Sequence, residues 1–116
     1  MIALNRNALI VATGAGTLLQ LVMVVVGHWV EPIRAQFMWG GLLLSLLAGL
    51  AYAWRAAPQG WALALLGGVI AGGVCALVGI LVSFLLGDVP PMVIVIGTLS
   101  SAVTGLIGAV LGKLIR

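Results

Sequence analysis

Four long apolar runs fill most of the chain, and short segments containing proline, glycine or charged residues separate them. A helix needs roughly 20 apolar residues to cross the hydrocarbon core of a bilayer, where every backbone polar group must be bonded within its own segment. Each run therefore predicts one transmembrane helix. The predicted spans are residues 8–30, 35–54, 61–86 and 92–111.

The composition excludes a water-soluble fold. Of the 116 residues 64% are hydrophobic and only 6% are charged, so there are too few charges to cover a surface exposed to water. The net charge of +3 would suit a nucleic-acid partner, but the basic residues are scattered singly at the ends of the spans. We therefore expect an integral membrane protein in a lipid bilayer, with no nucleic-acid partner.

The basic residues predict the orientation of the four spans. With an even number of spans, both termini lie on one side of the membrane. Arg6, Arg55, Lys113 and Arg116 lie on that side, and Arg34 is the single basic residue on the other. Basic residues are enriched in cytoplasmic segments, so we expect cytoplasmic termini and, in a bacterium, the inner membrane.

The first span is predicted to remain in the membrane. Its apolar run is long enough to cross a bilayer, which exceeds the core of a signal peptide. The segment that follows, Gly27-His28-Trp29-Val30-Glu31, does not match the small-residue cleavage site of such a peptide. We therefore expect a single all-α domain over residues 1–116, with the four helices arranged as two hairpins.

The two hairpins share a weak sequence similarity. Gly27 to Pro32 in the first resembles Gly87 to Pro91 in the second, and each segment leads into a helix that carries a serine and a glycine one turn apart. A repeated two-helix unit keeps its orientation, so duplication predicts parallel repeats about an axis along the membrane normal. Duplication and chance similarity remain alternatives.

Small residues recur every three or four positions in the third and fourth spans. Such stripes let helix backbones approach closely in a bilayer, so they predict contact faces between helices. The fourth span also contains no aromatic residue, which favours protein rather than lipid around it. The predicted packing residues are Gly68, Gly72, Gly79, Ser83, Gly105, Gly108 and Gly112.

Polar side chains within the first and fourth spans are costly in hydrocarbon and therefore informative. One interpretation is that Gln20 forms a hydrogen bond to a neighbouring helix, for example to Ser101 or Thr104. The other is that the polar residues of these two spans line a solute path or a small polar site. The candidates are Thr13, Thr17, Gln20, Ser100, Ser101 and Thr104.

His28, Glu31 and Asp88 are titratable residues predicted near the outer surface, where they would meet if the two outer loops touch. They do not form the three- or four-ligand pattern of a zinc site, and Arg34 is an ordinary surface partner for Glu31. We expect no metal and no cofactor. Cys75, the single cysteine, is expected to be a small packing residue.

Two functional classes follow from these observations. The sequence has no nucleophile paired with a base and no buried carboxylate, so we expect no enzymatic activity. The first class is a structural or accessory subunit that packs with itself or with a larger membrane complex. The alternative is a small oligomeric channel or transporter for a small solute, with the polar residues of the first and fourth spans along its path.

Overall fold

A computed structural model describes residues 4–56 and 60–115, and these form five helices. The helices are α1 (Arg6–Trp29), α2 (Glu31–Arg34), α3 (Phe37–Arg55), α4 (Trp61–Leu85) and α5 (Met92–Leu114). The prediction of four helices long and apolar enough to cross a membrane is confirmed by α1, α3, α4 and α5. The long axis of the protein is 44 Å, close to the full thickness of a bilayer.

Helix α1 begins and ends where its sequence provides caps and breaks. The Oδ1 atom of Asn5 accepts a hydrogen bond from the backbone N–H of Ala8 at 3.0 Å, which satisfies a donor left free at the helix start. Val30 is extended, and Pro32 lies in the first turn of α2. This one-turn helix was not predicted from the sequence, and because of it α3 begins at Phe37 rather than at residue 35.

The connection from α4 to α5 is a tight glycine turn. Gly87 has a φ of 81°, a left-handed conformation that costs glycine little. The N–H of Gly87 donates to the carbonyl of Phe84, and the N–H of Asp88 donates to that of Ser83. This pair of bonds is the Schellman pattern, and it turns the chain back across the end of α4.

Helices α3 and α4 form the centre of the bundle. Both α1 and α5 pack against this pair, and they do not form a comparable interface with each other among the described residues. In its most apolar window α4 is 44% buried, whereas α5 is 22% buried. The expectation that protein rather than lipid surrounds the fourth span is therefore not met within one chain, because α5 packs against two long helices and α4 against three.

The bundle has two halves. The terminal half contains the start of α1, the end of α5 and residues 56 and 60, and the connection half contains α2 and residues 86–91. In the terminal half α5 packs backbone against backbone on α3 and α4. A Cβ atom added to Gly105 would lie 2.9 Å from the Cα of Gly72, and one added to Gly49 would overlap the carbonyl of Gly105. We call this three-helix contact of α3, α4 and α5 the glycine seam.

The predicted packing residues have different positions in this arrangement. Gly68 and Gly72 face α5, whereas Gly108 and Gly112 face the backbone of α3 around Leu46 and Leu50. The sequence analysis did not predict that α3 would be the partner of α5.

The remaining two predicted packing residues, Gly79 and Ser83, face away from the seam. A Cβ atom on Gly79 would lie 3.0 Å from the Cβ of Gln20 on α1, and Ser83 is 2% exposed on the same side of α4. In the second hairpin α4 and α5 meet backbone to backbone. In the first hairpin α1 meets α3 through side chains, such as Met23 against Gly40. Duplication of the hairpin stays a prediction.

Candidate functional site

A cavity of about 490 Å³ lies in the connection half, between all four long helices. Its walls come from positions within residues 20–24 of α1, 37–42 of α3, 76–83 of α4 and 89–101 of the last connection and α5. The space exists because α1 and α5 stand apart on either side of the α3 and α4 pair. Its lining is mostly apolar. The volume falls within the range of small-molecule pockets in proteins.

Gln20 lies in the wall of this cavity and is 2% exposed. Its Nε2 atom donates to the carbonyl of Gly41 at 3.1 Å and to the Oγ atom of Ser45 at 3.4 Å, and lies 3.9 Å from the Sγ atom of Cys75. The expected partners Ser101 and Thr104 are not among these, because both lie on α5, across the cavity. The amide therefore joins α1 to the central helices.

Ser45 completes a small polar cluster behind Gln20, outside the cavity lining. Its hydroxyl donates to the carbonyl of Gly72 at 3.2 Å, and the thiol of Cys75 also reaches that carbonyl, at 3.4 Å. Both side chains are fully buried. Sequence reasoning did not select Ser45 as a site residue. The available signal was its place between Gly41 and Gly49, three small residues at four-residue intervals on one face of α3.

The polar residues of α5 have separate roles. Ser100 and Ser101 line the cavity, and Ser101 is 3% exposed. The hydroxyl of Thr104 donates to the carbonyl of Ser101 at 3.0 Å within the same helix. The cavity thus brings Ser100 and Ser101 near the wall that contains Gln20, although α1 and α5 do not pack together.

Thr13 and Thr17 lie outside the cavity lining, nearer the start of α1. The hydroxyl of Thr13 is buried without a hydrogen-bond partner among the described residues. The polar face of α1 that the sequence indicates therefore does not continue from Gln20 as a cavity wall.

Ser83 contributes a second buried hydroxyl of this kind, and it does line the cavity. The side chain is 2% exposed, and its Oγ atom has no hydrogen-bond partner among the described residues. A buried hydroxyl without a partner costs free energy, since it loses its hydrogen bonds to water and gains none. Ser83 is therefore a wall residue whose hydroxyl is covered and unsatisfied.

A polar cluster joins the end of α1 and helix α2 to the turn after α4. The Nδ1 atom of His28 is 2.8 Å from Oδ2 of Asp88, and Nη1 of Arg34 is 3.7 Å from Oδ1 of the same carboxylate. Arg34 also donates to the carbonyl of His28 at 3.2 Å. We call these three residues the clasp. Asp88 directly precedes Val89, a wall residue of the cavity.

Glu31 does not join the clasp. Its side chain is exposed, and Arg34 forms its ion pair with Asp88 rather than with the expected partner Glu31. The turn of α2 and the Schellman turn after α4 direct Arg34 and Asp88 toward each other. His28 and Asp88 therefore meet, and the three predicted titratable residues do not form one group.

Among residues 4–56 and 60–115, no three His, Cys, Asp or Glu side chains converge as a metal site would require. Searches of protein-family models, curated proteins and solved structures find no match to this chain. The chemistry that the lining offers is burial of an apolar group together with a few hydrogen bonds.

Proposed function

We propose that this protein is a non-enzymatic structural or accessory subunit, which packs through its helices with a second copy or within a larger membrane complex. The connections at residues 30–36 and 86–91 are short. Contacts within the bilayer are therefore the main surface through which such a protein acts. The glycine stripes are used inside the bundle, so the partner surface has to be another face.

The observation that carries this proposal is the outward face of α5. Leu99 and Val103 on this face are 64% and 58% exposed. The other three long helices each carry a tryptophan near an end, where its ring sits at headgroup level, and α5 has none. An exposed apolar helix without such anchors is typical of a helix that another protein covers.

The test compares a tryptophan placed on α5 with one placed on α1. Leu99 and Leu18 are matched, at 64% and 63% exposed. An added ring overpacks a helix contact but is tolerated against lipid, so we expect Leu99→Trp to weaken the complex about tenfold or more and Leu18→Trp to leave it unchanged. The measurement is the particle mass in mild detergent, with identification of copurifying chains.

Each result of the mass measurement has a meaning. Multiples of 11.8 kDa support self-association, and a stoichiometric second protein supports a larger complex. An unaltered chain that is a lone monomer without partners contradicts the proposal, as does equal weakening by Leu99→Trp and Leu18→Trp.

The proposed orientation has both termini in the cytoplasm of a bacterial inner membrane. The terminal half carries Arg55, whose Nε and Nη2 atoms donate to Oδ1 of Asn7 at 3.2 and 3.1 Å, and Lys113, whose Nζ lies 5.4 Å from the ring centre of Trp61. Arg116 lies outside the described residues. The shared position of Arg55 and Lys113 supports the orientation, because basic residues favour the cytoplasmic side.

Cysteine labelling tests this orientation in a Cys75→Ala background. An impermeant maleimide added outside intact cells is expected to label Ile33→Cys and not Gly60→Cys. Labelling of Gly60→Cys alone from outside reverses the orientation.

The cavity favours the second candidate, a small oligomeric channel or transporter for a small solute. It brings Gln20 and Ser100 to one space within the bundle, but the glycine seam closes the terminal half, so transport needs an oligomer or a rearrangement. Glycerol flux into liposomes is the test. Lost flux in Gln20→Leu with intact assembly supports a path, and no flux from the unaltered chain contradicts it.

A further inference from the structure

The cavity combines a mostly apolar wall with a few side chains that can form hydrogen bonds, among them Ser83, Ser100 and Ser101. Its lining contains no charged side chain, so a charged ligand would lose its hydration without an opposite charge to offset the loss. Water is also a poor occupant, because a buried water typically needs two to four polar partners and this lining is mostly apolar. The walls therefore select an uncharged, largely apolar molecule.

The shape of the cavity suits an elongated occupant. Its α5 wall extends from Met92 to Ser101, about 14 Å along the helix at 1.5 Å per residue. Met23, Met38 and Met92 contribute to the wall, and their unbranched side chains adapt to ligands of irregular shape. An apolar chain in this space gains contacts that an empty cavity lacks.

Ser83 is the buried wall residue whose hydroxyl has no hydrogen-bond partner among the described residues. The Oγ atom of Ser83 is covered in this structure, with less than 1 Å² accessible, so its side chain has to rotate about χ1 to meet a ligand. A serine hydroxyl is both a donor and an acceptor, and a ligand hydroxyl or carbonyl oxygen would then satisfy it. We propose that this cavity is a binding site for an uncharged apolar molecule from the bilayer, with one hydroxyl or carbonyl oxygen that forms a hydrogen bond to Ser83. The molecule enters from the hydrocarbon between α1 and α5, the two helices that do not pack together.

The probe for this site is a photoactivatable diazirine analogue of 1-decanol, added to the full-length chain in mild detergent. Cross-linked residues are located by mass spectrometry. We expect saturable labelling of wall residues such as Met23 and Met92, and competition by excess 1-decanol. Labelling that does not saturate, or that falls only on the outward faces of the helices, overturns the proposal.

Two leucine substitutions separate the cavity from the outer surface. A Cβ atom on Gly41 would meet only Oε1 of Gln20, at 3.7 Å, so Gly41→Leu directs its side chain into the space without a backbone clash. A Cβ atom on Gly14 has nothing within 4 Å, and Gly14→Leu is the matched control outside the cavity. We expect Gly41→Leu to reduce labelling about tenfold or more, because the side chain fills the site. Equal labelling of the two variants overturns the proposal.

Ser100→Leu is a second cavity-filling variant, which tests the proposal if Gly41→Leu does not fold. Ser100 is exposed and lines the cavity from α5, so a leucine there narrows the space at a tolerant position. Reduced labelling of Ser100→Leu, with the helical circular dichroism of the unaltered chain, supports the cavity site. Full labelling of a folded Ser100→Leu chain together with full labelling of Gly41→Leu overturns it.

Ser83→Ala tests the hydrogen bond apart from the apolar walls. Loss of one hydrogen bond is expected to weaken competition by 1-decanol about fivefold and to leave competition by decane unchanged. Equal competition by 1-decanol in Ser83→Ala and the unaltered chain overturns the role of Ser83. This inference does not depend on the accessory function, since a monomer without partners would still bind the probe.

Discussion

The two halves of the bundle are built from the same kinds of residue and pack differently. In the terminal half the glycines of α5 face backbone, and Gly105 brings its own backbone against Gly49, Gly68 and Gly72 on two other helices. In the connection half glycines face long side chains. A Cβ atom added to Gly97, for example, would lie 2.6 Å from Cδ1 of Ile80. The first arrangement closes the space between helices, and the second leaves a cavity.

This difference shows that a stripe of small residues does not by itself fix how closely two helices approach. The backbones touch only where no side chain of the opposite helix points into the contact, as where Gly108 meets the carbonyl of Leu46. Gly79 illustrates the other outcome, because Gln20 and not a backbone occupies the space before it. Facing pairs, rather than single stripes, therefore determine which half is closed.

The largest expected effect comes from breaking the closed half with Gly105→Val. The added Cβ atom would lie 2.9 Å from the Cα of Gly72 and overlap the carbonyl of Gly68, and neither backbone can move away independently. We expect the free energy of unfolding to fall by about 3 kcal/mol or more, measured by reversible SDS unfolding in mixed micelles. The control Gly14→Val, which has open space, should change it little. Similar stability of both variants would contradict the description of the seam.

The border between the halves is tested by Gln20→Leu. This substitution removes the bonds to Gly41 and Ser45 but retains apolar volume, and hydrogen bonds between membrane helices contribute about 0.6 to 1.7 kcal/mol. We expect a loss of stability in that range by the same assay. A variant as stable as the unaltered chain would mean that the amide does not hold α1 in place.

The open half is closed at its end by the clasp, which Asp88→Asn weakens. The carboxylate is 9% exposed, and its partners His28 and Arg34 are 29% and 37% exposed, so solvent screens the pair. We expect a loss of about 1 kcal/mol that shrinks at high salt. Glu31→Gln, an exposed change outside the clasp, is the control. A salt-independent loss would indicate packing rather than charge.

The smallest effect is expected from Thr13→Val. Its hydroxyl is buried without a partner among the described residues, and valine has nearly the same shape. Removing an unsatisfied polar group is nearly neutral or stabilising, so we expect a change between 0 and about 1 kcal/mol toward greater stability. A clear loss of stability would reveal a hydrogen bond for this hydroxyl.

The number and type of helices follow from the sequence because bilayer thickness and backbone hydrogen bonding leave few alternatives. The neighbours of each helix do not follow. Lipid and helix surfaces are chemically similar, so apolar residues such as those of α5 do not specify which neighbour they face. For this reason the sequence did not show that α4 is more buried than α5, or that Gln20 contacts Ser45 rather than Ser101.

The candidate site was predictable only in part. Gln20, Ser100 and Ser101 are polar residues in apolar spans, and each lines the cavity. The cavity itself depends on how far the backbones separate, which no single helix determines. The clasp was also missed as a unit, because the Schellman turn at Gly87 decides where Asp88 lies, and residues 28 and 88 are far apart in the chain.

The amide of Gln20 has a further consequence for how the first helix is aligned along its neighbours. Apolar helices in a bilayer can slide past one another at little cost, since each shifted arrangement buries similar side chains. A slip of one helical turn, about 5.4 Å, would remove Nε2 of Gln20 from the carbonyl of Gly41, which it now meets at 3.1 Å. Gln20 thereby fixes the vertical register of α1 at its middle, as a buried polar side chain does in a coiled coil, while Asn7 and His28 hold its two ends.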